Sequence, residues 1–159
     1  MLIGPETDFH FPKRSELTVP NRFDIRFDAT EMGVRQTLTS LLSFLTEIGI
    51  GEMNRGTVEI VLAEALNNVV EHAYAETGQG SIELQCKSQV DRLDVAIMDQ
   101  GPPVPVHVFA ERSAPDTDVP LDDLPEGGFG WLLIQNMTEN LAYHRVGDTN
   151  CLRMAIPLT

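Results

Sequence analysis

The sequence predicts an α+β domain in which helices cover a mostly antiparallel sheet. Three observations favour this fold class: segments that alternate apolar and polar residues, segments with apolar residues at helical spacing, and glycine-rich connections between them. Their order is strand, two helices, two strands, a long irregular segment, a helix and two strands. The chain of 159 residues fits one domain that can bury a core without disulfides or structural metal.

The first third of the sequence predicts an arm, a strand and a helix. Residues 1–17 contain glycine and prolines without periodicity, so we expect an N-terminal arm, with the domain spanning residues 18–159. Residues 17–27 alternate apolar and polar side chains in their second half, which indicates a first strand. From about Thr30 an apolar stripe at helical spacing continues to glycines at positions 49 and 51, where we expect the first helix to end.

The longest helical pattern, residues 58–74, also carries the densest set of polar side chains. At about 100° per residue, Glu64, Asn68 and Glu71 fall on one side and an apolar stripe on the other. Such a polar face is often only a solvated surface. Here, however, it holds no Lys or Arg, and two adjacent asparagines in mid-helix oppose helix propensity, so the face is a candidate site.

The second half begins with a predicted hairpin. Residues 81–87 and 92–98 alternate apolar and polar side chains around a short polar stretch, and the second strand runs directly into Asp99 and Gly101. A ligand can meet carboxylate and backbone together at such a strand end.

The last third combines an irregular segment with regular elements. Residues 104–126 lose all periodicity, and so long an irregular segment in a compact domain predicts a lid, over about residues 102–127. A short helix is predicted at 131–138 after a glycine-rich turn, and a closing hairpin is predicted from residues 141–146 and 151–156.

Composition argues against several classes of function. A net charge of −13 would repel nucleic acid phosphates, and is compatible with a basic protein partner. No run approaches the roughly 20 apolar residues that span a membrane, and a signal-peptide pattern is missing, so we expect a cytoplasmic protein. Cys86 and Cys151 lack metal-ligand spacing and lie in strand patterns, which predicts buried free thiols.

Three short motifs stand in a specific order. The central helix carries Glu-x-x-x-Asn, Asp99-x-Gly101 follows a strand, and Gly128-x-Gly130 opens the third helix. Each alone is weak, since Gly-x-Gly is often only a turn into a helix. Together they resemble the GHKL or Bergerat-fold ATP-binding domains, and among these the bacterial anti-sigma-factor serine/threonine kinases. The resemblance covers roughly residues 17–158 and implies a two-layer α/β sandwich.

The resemblance also implies roles for individual residues. Glu64 stands in the place of the catalytic base, and Asn68 in the place of the Mg²⁺ ligand. The residues implied in binding ATP or ADP are Asn68, Glu71, His72, Asp99, Gly101, Gly128, Phe129, Gly130 and Asn150. Among these, an ionised Asp99 would accept a hydrogen bond from the adenine amine, glycines before a helix let N–H groups approach phosphates, and Asn150 lies where relatives keep a threonine near adenine.

Three side chains near these motifs have structural interpretations. His72 is also interpreted as a packed or capping residue near the helix end. Tyr74 is expected in the core, and Trp131 in the core or against the lid.

The implied function is an ATP-dependent anti-sigma factor of a partner-switching circuit. It would hold a sigma factor or similar target and phosphorylate Ser or Thr of a small anti-anti-sigma (STAS-type) antagonist. Glu126 stands where such kinases often carry a basic residue, which motivates an alternative, a non-catalytic nucleotide-dependent binding module of the same fold. A detached histidine-kinase catalytic domain is a third class. The stripe of the first helix is explained by a homodimer contact or, equally well, by packing within the domain.

Overall fold

The computed structural model describes residues 20–74, 78–104 and 128–159. These residues form a five-stranded antiparallel sheet and three helices, which confirms the α+β class. In chain order the elements are β1 (Arg22–Asp28), α1 (Glu31–Glu47), α2 (Glu52–Tyr74), β2 (Ser81–Ser88), β3 (Arg92–Asp99), α3 (Gly128–Met137), β4 (Glu139–Val146) and β5 (Thr149–Pro157). The predicted arm and most of the predicted lid, residues 105–127, lie outside the described residues. In the described part of the chain, no helix combines the length and apolarity that a membrane span requires.

The sheet has the strand order β1-β2-β3-β5-β4, with all neighbours antiparallel. The last strand therefore lies between β3 and β4 rather than at an edge. This insertion places the end of β3 beside the start of β5, where Asp99 pairs with Asn150.

One face of the sheet forms the core with α1 and α2. Every second residue of β2 and β3 is buried, as expected for a sheet that has one covered face. The α1 stripe is buried inside the domain, so packing explains it without a second copy of the chain. The largest fully buried side chains are Leu41, Leu45, Val58, Val61, Leu62, Leu66, Ile82, Leu84, Leu93, Ile97, Ile134 and Ile156. Both cysteines are buried and free, as predicted, and burial raises the pKa of the Cys86 thiol to about 12.

Helix boundaries agree with the sequence where a cap or a glycine marks them. The Thr30 hydroxyl accepts the Gly33 N–H at 2.9 Å and caps α1, and Gly49 follows the helix end with φ of 85°. In contrast, α2 begins at Glu52 rather than at residue 58, and α3 at Gly128 rather than at 131. The additional first turns carry no apolar periodicity, so the pattern could not indicate them.

Candidate functional site

Asp99 and Asn150 meet at the ends of β3 and β5. Both are buried, with 8% and 2% of their surface exposed. Asn150 Nδ2 donates hydrogen bonds to Asp99 Oδ1 at 2.9 Å and to the carbonyl oxygens of Gly101 and Pro102 at 3.1 Å each. The Gly101 N–H donates to the same Asp99 Oδ1 at 2.8 Å. Residues predicted from separate motifs thus form one hydrogen-bonded group.

Tyr143 and Arg145 of β4 complete this group, and no motif in the sequence indicates either of them. The Tyr143 hydroxyl donates to Asn150 Oδ1 at 2.6 Å and accepts the Val104 N–H at 3.0 Å. Arg145 Nη1 donates to Asn150 Oδ1 at 2.8 Å and to the Gly101 carbonyl at 2.9 Å. Alternation places Arg145 on the same face of β4 as Leu141 and Tyr143, but Arg145 itself is exposed, so burial gave no signal for its role.

Gly101 lies directly against the end of α2. A Cβ added at this position would be 2.3 Å from the Ala73 Cβ and 2.7 Å from its Cα. No side chain fits in that space, so the backbone after β3 approaches α2 closely only because residue 101 is glycine.

Tyr74 links α2 to the same region from the core. Its hydroxyl accepts the Gln100 N–H at 3.0 Å and donates to the Ser81 carbonyl at 3.0 Å. A Cβ on Gly80 would lie 2.1 Å from the Tyr74 ring, so the chain passes closely over the aromatic face. Tyr74 is buried, as predicted, and it fixes the backbone on both sides of the β2–β3 hairpin.

Glu64, Asn68 and Gly130 form a second group, farther along α2. A Cβ on Gly130 would lie 2.7 Å from Glu64 Oε2 and 3.7 Å from Asn68 Nδ2, so the first turn of α3 packs against both side chains. Asn68 is buried, and its Nδ2 atom has no hydrogen-bond partner among the described residues. Glu64 is exposed. An exposed carboxylate and an unsatisfied amide therefore lie beside the N-terminal end of a helix.

The remaining predicted residues lie around this second group. Glu71 and His72 are both exposed in the last turns of α2. Because His72 is exposed, it is not packed in the core, and that half of its interpretation is wrong; a role in capping the helix end stays a prediction. Gly128 and Phe129 form the first turn of α3 together with Gly130, where helical N–H groups lack intrahelical acceptors. Trp131 packs against the core, as predicted.

A cavity of about 510 Å³ lies beside the first group, between the end of α3 and the start of β4. The bulge in β4 borders it, and Asn140 there has a positive φ of 54°. None of the predicted site residues lines the cavity, but Tyr143 does. Its described lining residues are Gln135, Asn136, Thr138, Glu139, Asn140, Leu141 and Tyr143.

Three comparisons relate this chain to known proteins. Residues 27–156 match the family described as Histidine kinase-like ATPase domain. The Serine-protein kinase RsbW of Halalkalibacterium halodurans is 31% identical over 134 residues, which cover 83% of this chain and 76% of that protein. The Serine-protein kinase RsbW of Oceanobacillus iheyensis is 27% identical over 85 residues, which cover 53% and 54%. The chain thus spans about three quarters of the first relative and about half of the second.

A solved structure shares the fold. The crystal structure of the RsbU and RsbW domains of a Mycobacterium tuberculosis protein aligns with a TM-score of 0.57 at 15% identity, covering 86% of this chain and 32% of that one. At this level of identity the match concerns the arrangement of strands and helices alone. It agrees with the antiparallel sheet and the helices described above.

Proposed function

This chain belongs to the histidine kinase-like ATPase domain family, and we propose that it is a serine/threonine-protein kinase that uses ATP and acts as an anti-sigma factor in a partner-switching circuit. The observation that carries this proposal is the placement of two polar groups along α2. Glu64 and Ala73 are nine residues apart, which corresponds to about 14 Å at 1.5 Å per residue. An extended nucleoside triphosphate has a comparable length, so one ligand can contact both groups.

The Asp99 end suits the base. Asp99 Oδ1 already accepts two hydrogen bonds, from the Gly101 N–H and from Asn150. No donor from the described residues reaches its Oδ2 atom, so that oxygen is available to an exocyclic amine of adenine. A buried carboxylate oxygen without such a donor is costly, which favours an amino-purine over a base that presents a carbonyl there.

The Gly130 end suits the phosphates. The first turn of α3 presents N–H groups and the positive end of the helix dipole, a common arrangement for binding phosphate. The absent side chain of Gly130 leaves room for Glu64, whose Oε2 lies 2.7 Å from where a Cβ would be, so this carboxylate stands beside the turn that would hold the phosphates. The neighbouring Glu64 and Glu71 would repel a polyphosphate, so this end of the site needs a counter-charge.

Asn68 is suited to hold Mg²⁺ at this end. Its buried carboxamide lies beside Gly130, and the unpaired Nδ2 shows that the described structure supplies no partner for one side of the group. A carboxamide can turn to present its oxygen, and Mg²⁺ takes oxygen ligands from one or two side chains and from phosphates. Bound there, Mg²⁺ would supply the counter-charge.

Glu64 is placed to assist phosphoryl transfer. Its carboxylate is exposed, so the hydroxyl of a serine or threonine on another protein can reach it. The hydroxyl oxygen forms a bond to the γ-phosphorus, the bond to the β,γ-bridging oxygen breaks, and the hydroxyl proton passes to Glu64. The products are a phosphoester and ADP, and no covalent intermediate forms on the kinase.

The proposed partners are a sigma factor or similar regulator and a small STAS-type antagonist that carries the phosphorylated residue. We place the protein in the cytoplasm, where ATP and sigma factors occur. The curated relatives reported above carry the name of a kinase, and nothing in the described residues favours the non-catalytic module.

A transfer assay with a matched pair of variants tests this function. Purified protein is mixed with γ-labelled Mg-ATP and with STAS-type proteins from the source genome, and ATP binding is measured by calorimetry. We expect acid-stable phosphate on Ser or Thr with the wild type, and a rate at least about 100-fold lower with Glu64→Gln, which retains ATP binding. Glu59→Gln, on an exposed part of α2 outside the site, is the control and keeps the wild-type rate.

Three outcomes would contradict the proposal. Wild-type transfer by Glu64→Gln would refute the role of this carboxylate. Acid-labile phosphate would indicate histidine-kinase chemistry instead. Partner affinity that differs between ATP and ADP without any transfer would identify a binding module.

A further inference from the structure

We propose that Tyr143 and Arg145 are positioning residues: they hold the Asn150 carboxamide in one orientation and thereby aim Asp99 at the exocyclic amine of the base. The inference rests on the proposed function, because it assumes that the base of a nucleotide binds at Asp99. It concerns β4, which carries none of the motifs discussed above.

The side-chain amide of Asn150 is buried, with hydrogen-bond acceptors around its nitrogen and hydrogen-bond donors around its oxygen. Its Nδ2 faces three oxygens, from Asp99, Gly101 and Pro102, at 2.9 to 3.1 Å. Two N–H bonds shared among three acceptors leave no donor unused. The orientation of the amide is therefore decided by what its oxygen faces.

Asn150 Oδ1 faces two donors from β4. The Tyr143 hydroxyl lies at 2.6 Å and Arg145 Nη1 at 2.8 Å. Since the Tyr143 oxygen already accepts the Val104 N–H, its own proton is left to point at Asn150. Turning the carboxamide by 180° would bring its oxygen against three oxygens and its NH₂ group against a guanidinium. Only the observed orientation satisfies every partner.

This orientation determines which oxygen of Asp99 meets a ligand. Asn150 Nδ2 and the Gly101 N–H both donate to Oδ1, so the carboxylate is held from two directions and Oδ2 is left for the base. If Asn150 lost its hydrogen bonds from Tyr143 and Arg145, the Asp99 carboxylate could rotate, and Oδ2 would no longer be fixed in one position. Discrimination between a 6-amino and a 6-oxo purine would then decrease, because it depends on a carboxylate oxygen fixed opposite that substituent.

Arg145 extends the same hold to the backbone. Its Nη1 also donates to the Gly101 carbonyl at 2.9 Å, so one guanidinium fixes both Asn150 and the turn that supplies the second donor to Asp99. Both bonds leave the same nitrogen, whose two N–H bonds lie in the fixed plane of the guanidinium. A lysine keeps the charge, but its ammonium rotates freely and holds two acceptors less firmly.

The test compares the affinities of Mg-ATP and Mg-inosine triphosphate, which carries a 6-oxo group, by calorimetry. Tyr143→Phe removes one hydroxyl and keeps the ring. We expect ATP affinity to fall about tenfold, from the loss of one buried hydrogen bond, and the ATP-to-inosine-triphosphate affinity ratio to fall by a similar factor. Arg145→Lys gives a smaller decrease of the same ratio.

Tyr74→Phe is the matched control. Its hydroxyl also bonds backbone near Asp99, to Gln100 and Ser81, but it does not touch Asn150. It lowers the melting temperature and leaves the affinity ratio unchanged. In an Asn150→Ala background, Tyr143→Phe has no further effect on the ratio, since the residue it acts through is gone.

Several results would overturn the inference. Equal losses of affinity for both nucleotides in Tyr143→Phe and Arg145→Lys would mean a purely structural role. If Tyr143→Phe lowered the affinity ratio as strongly in the Asn150→Ala background as in the wild type, Tyr143 would not act through Asn150. A wild type that binds neither nucleotide would remove the proposed function as well, whereas a wild type that binds ATP selectively but transfers no phosphate would contradict the kinase proposal and leave this inference intact.

Discussion

Replacing Gly101 with alanine tests the close approach on which the Asp99 group depends. The new Cβ would lie 2.3 Å from the Ala73 Cβ, 2.7 Å from its Cα and 3.0 Å from its carbonyl oxygen. Carbon atoms pack at about 3.5–4.0 Å, so the two chains must separate by about 1 Å. Because two of the three atoms belong to the α2 backbone, no rotamer change relieves the overlap.

The expected magnitude follows from these contacts. Overpacking by one methyl group costs about 1–3 kcal/mol, and a clash with backbone belongs at the upper end. For a chain of 159 residues, 1 kcal/mol shifts the melting temperature by about 2–4 °C, so we expect Gly101→Ala to melt about 6–12 °C lower. ATP affinity also falls, because the displaced Gly101 N–H donates to Asp99.

Scanning calorimetry with a matched glycine variant measures this effect. Gly56 lies inside α2 with nothing within 4 Å of its added Cβ, so Gly56→Ala gains about 1 kcal/mol of helix propensity and melts about 2–4 °C higher. The Ala73→Gly/Gly101→Ala double variant recovers only part of the loss, since the contact with the Ala73 Cα persists. A Gly101→Ala protein that melts at or above the wild-type temperature would refute the reasoning.

Two further predictions concern Glu64 and Cys86. Gly130→Ala places a Cβ 2.7 Å from Glu64 Oε2, the end of a flexible side chain. We expect the carboxylate to move, so that the rate of phosphate transfer falls at least about tenfold while the melting temperature is nearly unchanged. A loss of stability equal to that of Gly101→Ala would contradict this. Burial, and to a lesser extent the charge of Asp24, raises the pKa of Cys86 from 9.0 to about 12. As pH rises, the unfolded chain therefore releases the thiol proton before the folded chain does. The contribution of the protonated thiol to the free energy of unfolding is complete below about pH 9 and is lost as pH rises toward 12. Urea unfolding should show the wild type losing about 2 kcal/mol more than Cys86→Ala between pH 8 and 10.5, and parallel pH profiles would exclude the effect.

Local patterns predicted most of the elements because each has a clear period or a marked end. The alternation in β2 and β3 and the capped stripe of α1 match the structure to within about a residue at most ends. The start of α2 was missed because residues 52–57 have no apolar period. That turn is held by a distant contact: Asn54 bonds the backbone of Thr159 through both its amide atoms, at 2.9 and 3.1 Å.

The candidate site was predictable only where residues form motifs. Glu64, Asn68, Asp99 and the glycines stand at recognisable spacings, whereas Tyr143 and Arg145 look like ordinary residues of a hairpin. Their position beside Asp99 depends on the strand order, which inserts β5 between β3 and β4. Alternation fixes which face a side chain takes but not which strand becomes its neighbour.

The same strand order sets when during synthesis the proposed nucleotide site can form. Asp99 is made early and Asn150 some fifty residues later, so their contact, 51 residues apart in sequence, cannot exist on a nascent chain that lacks β5. Neither β4 nor its two hydrogen-bond donors can join the sheet before β5 arrives, because β5 is the strand that separates β4 from β3. A nascent chain without β5 therefore lacks the Asp99–Asn150 contact, and we expect it to bind nucleotide only after β5 has entered the sheet.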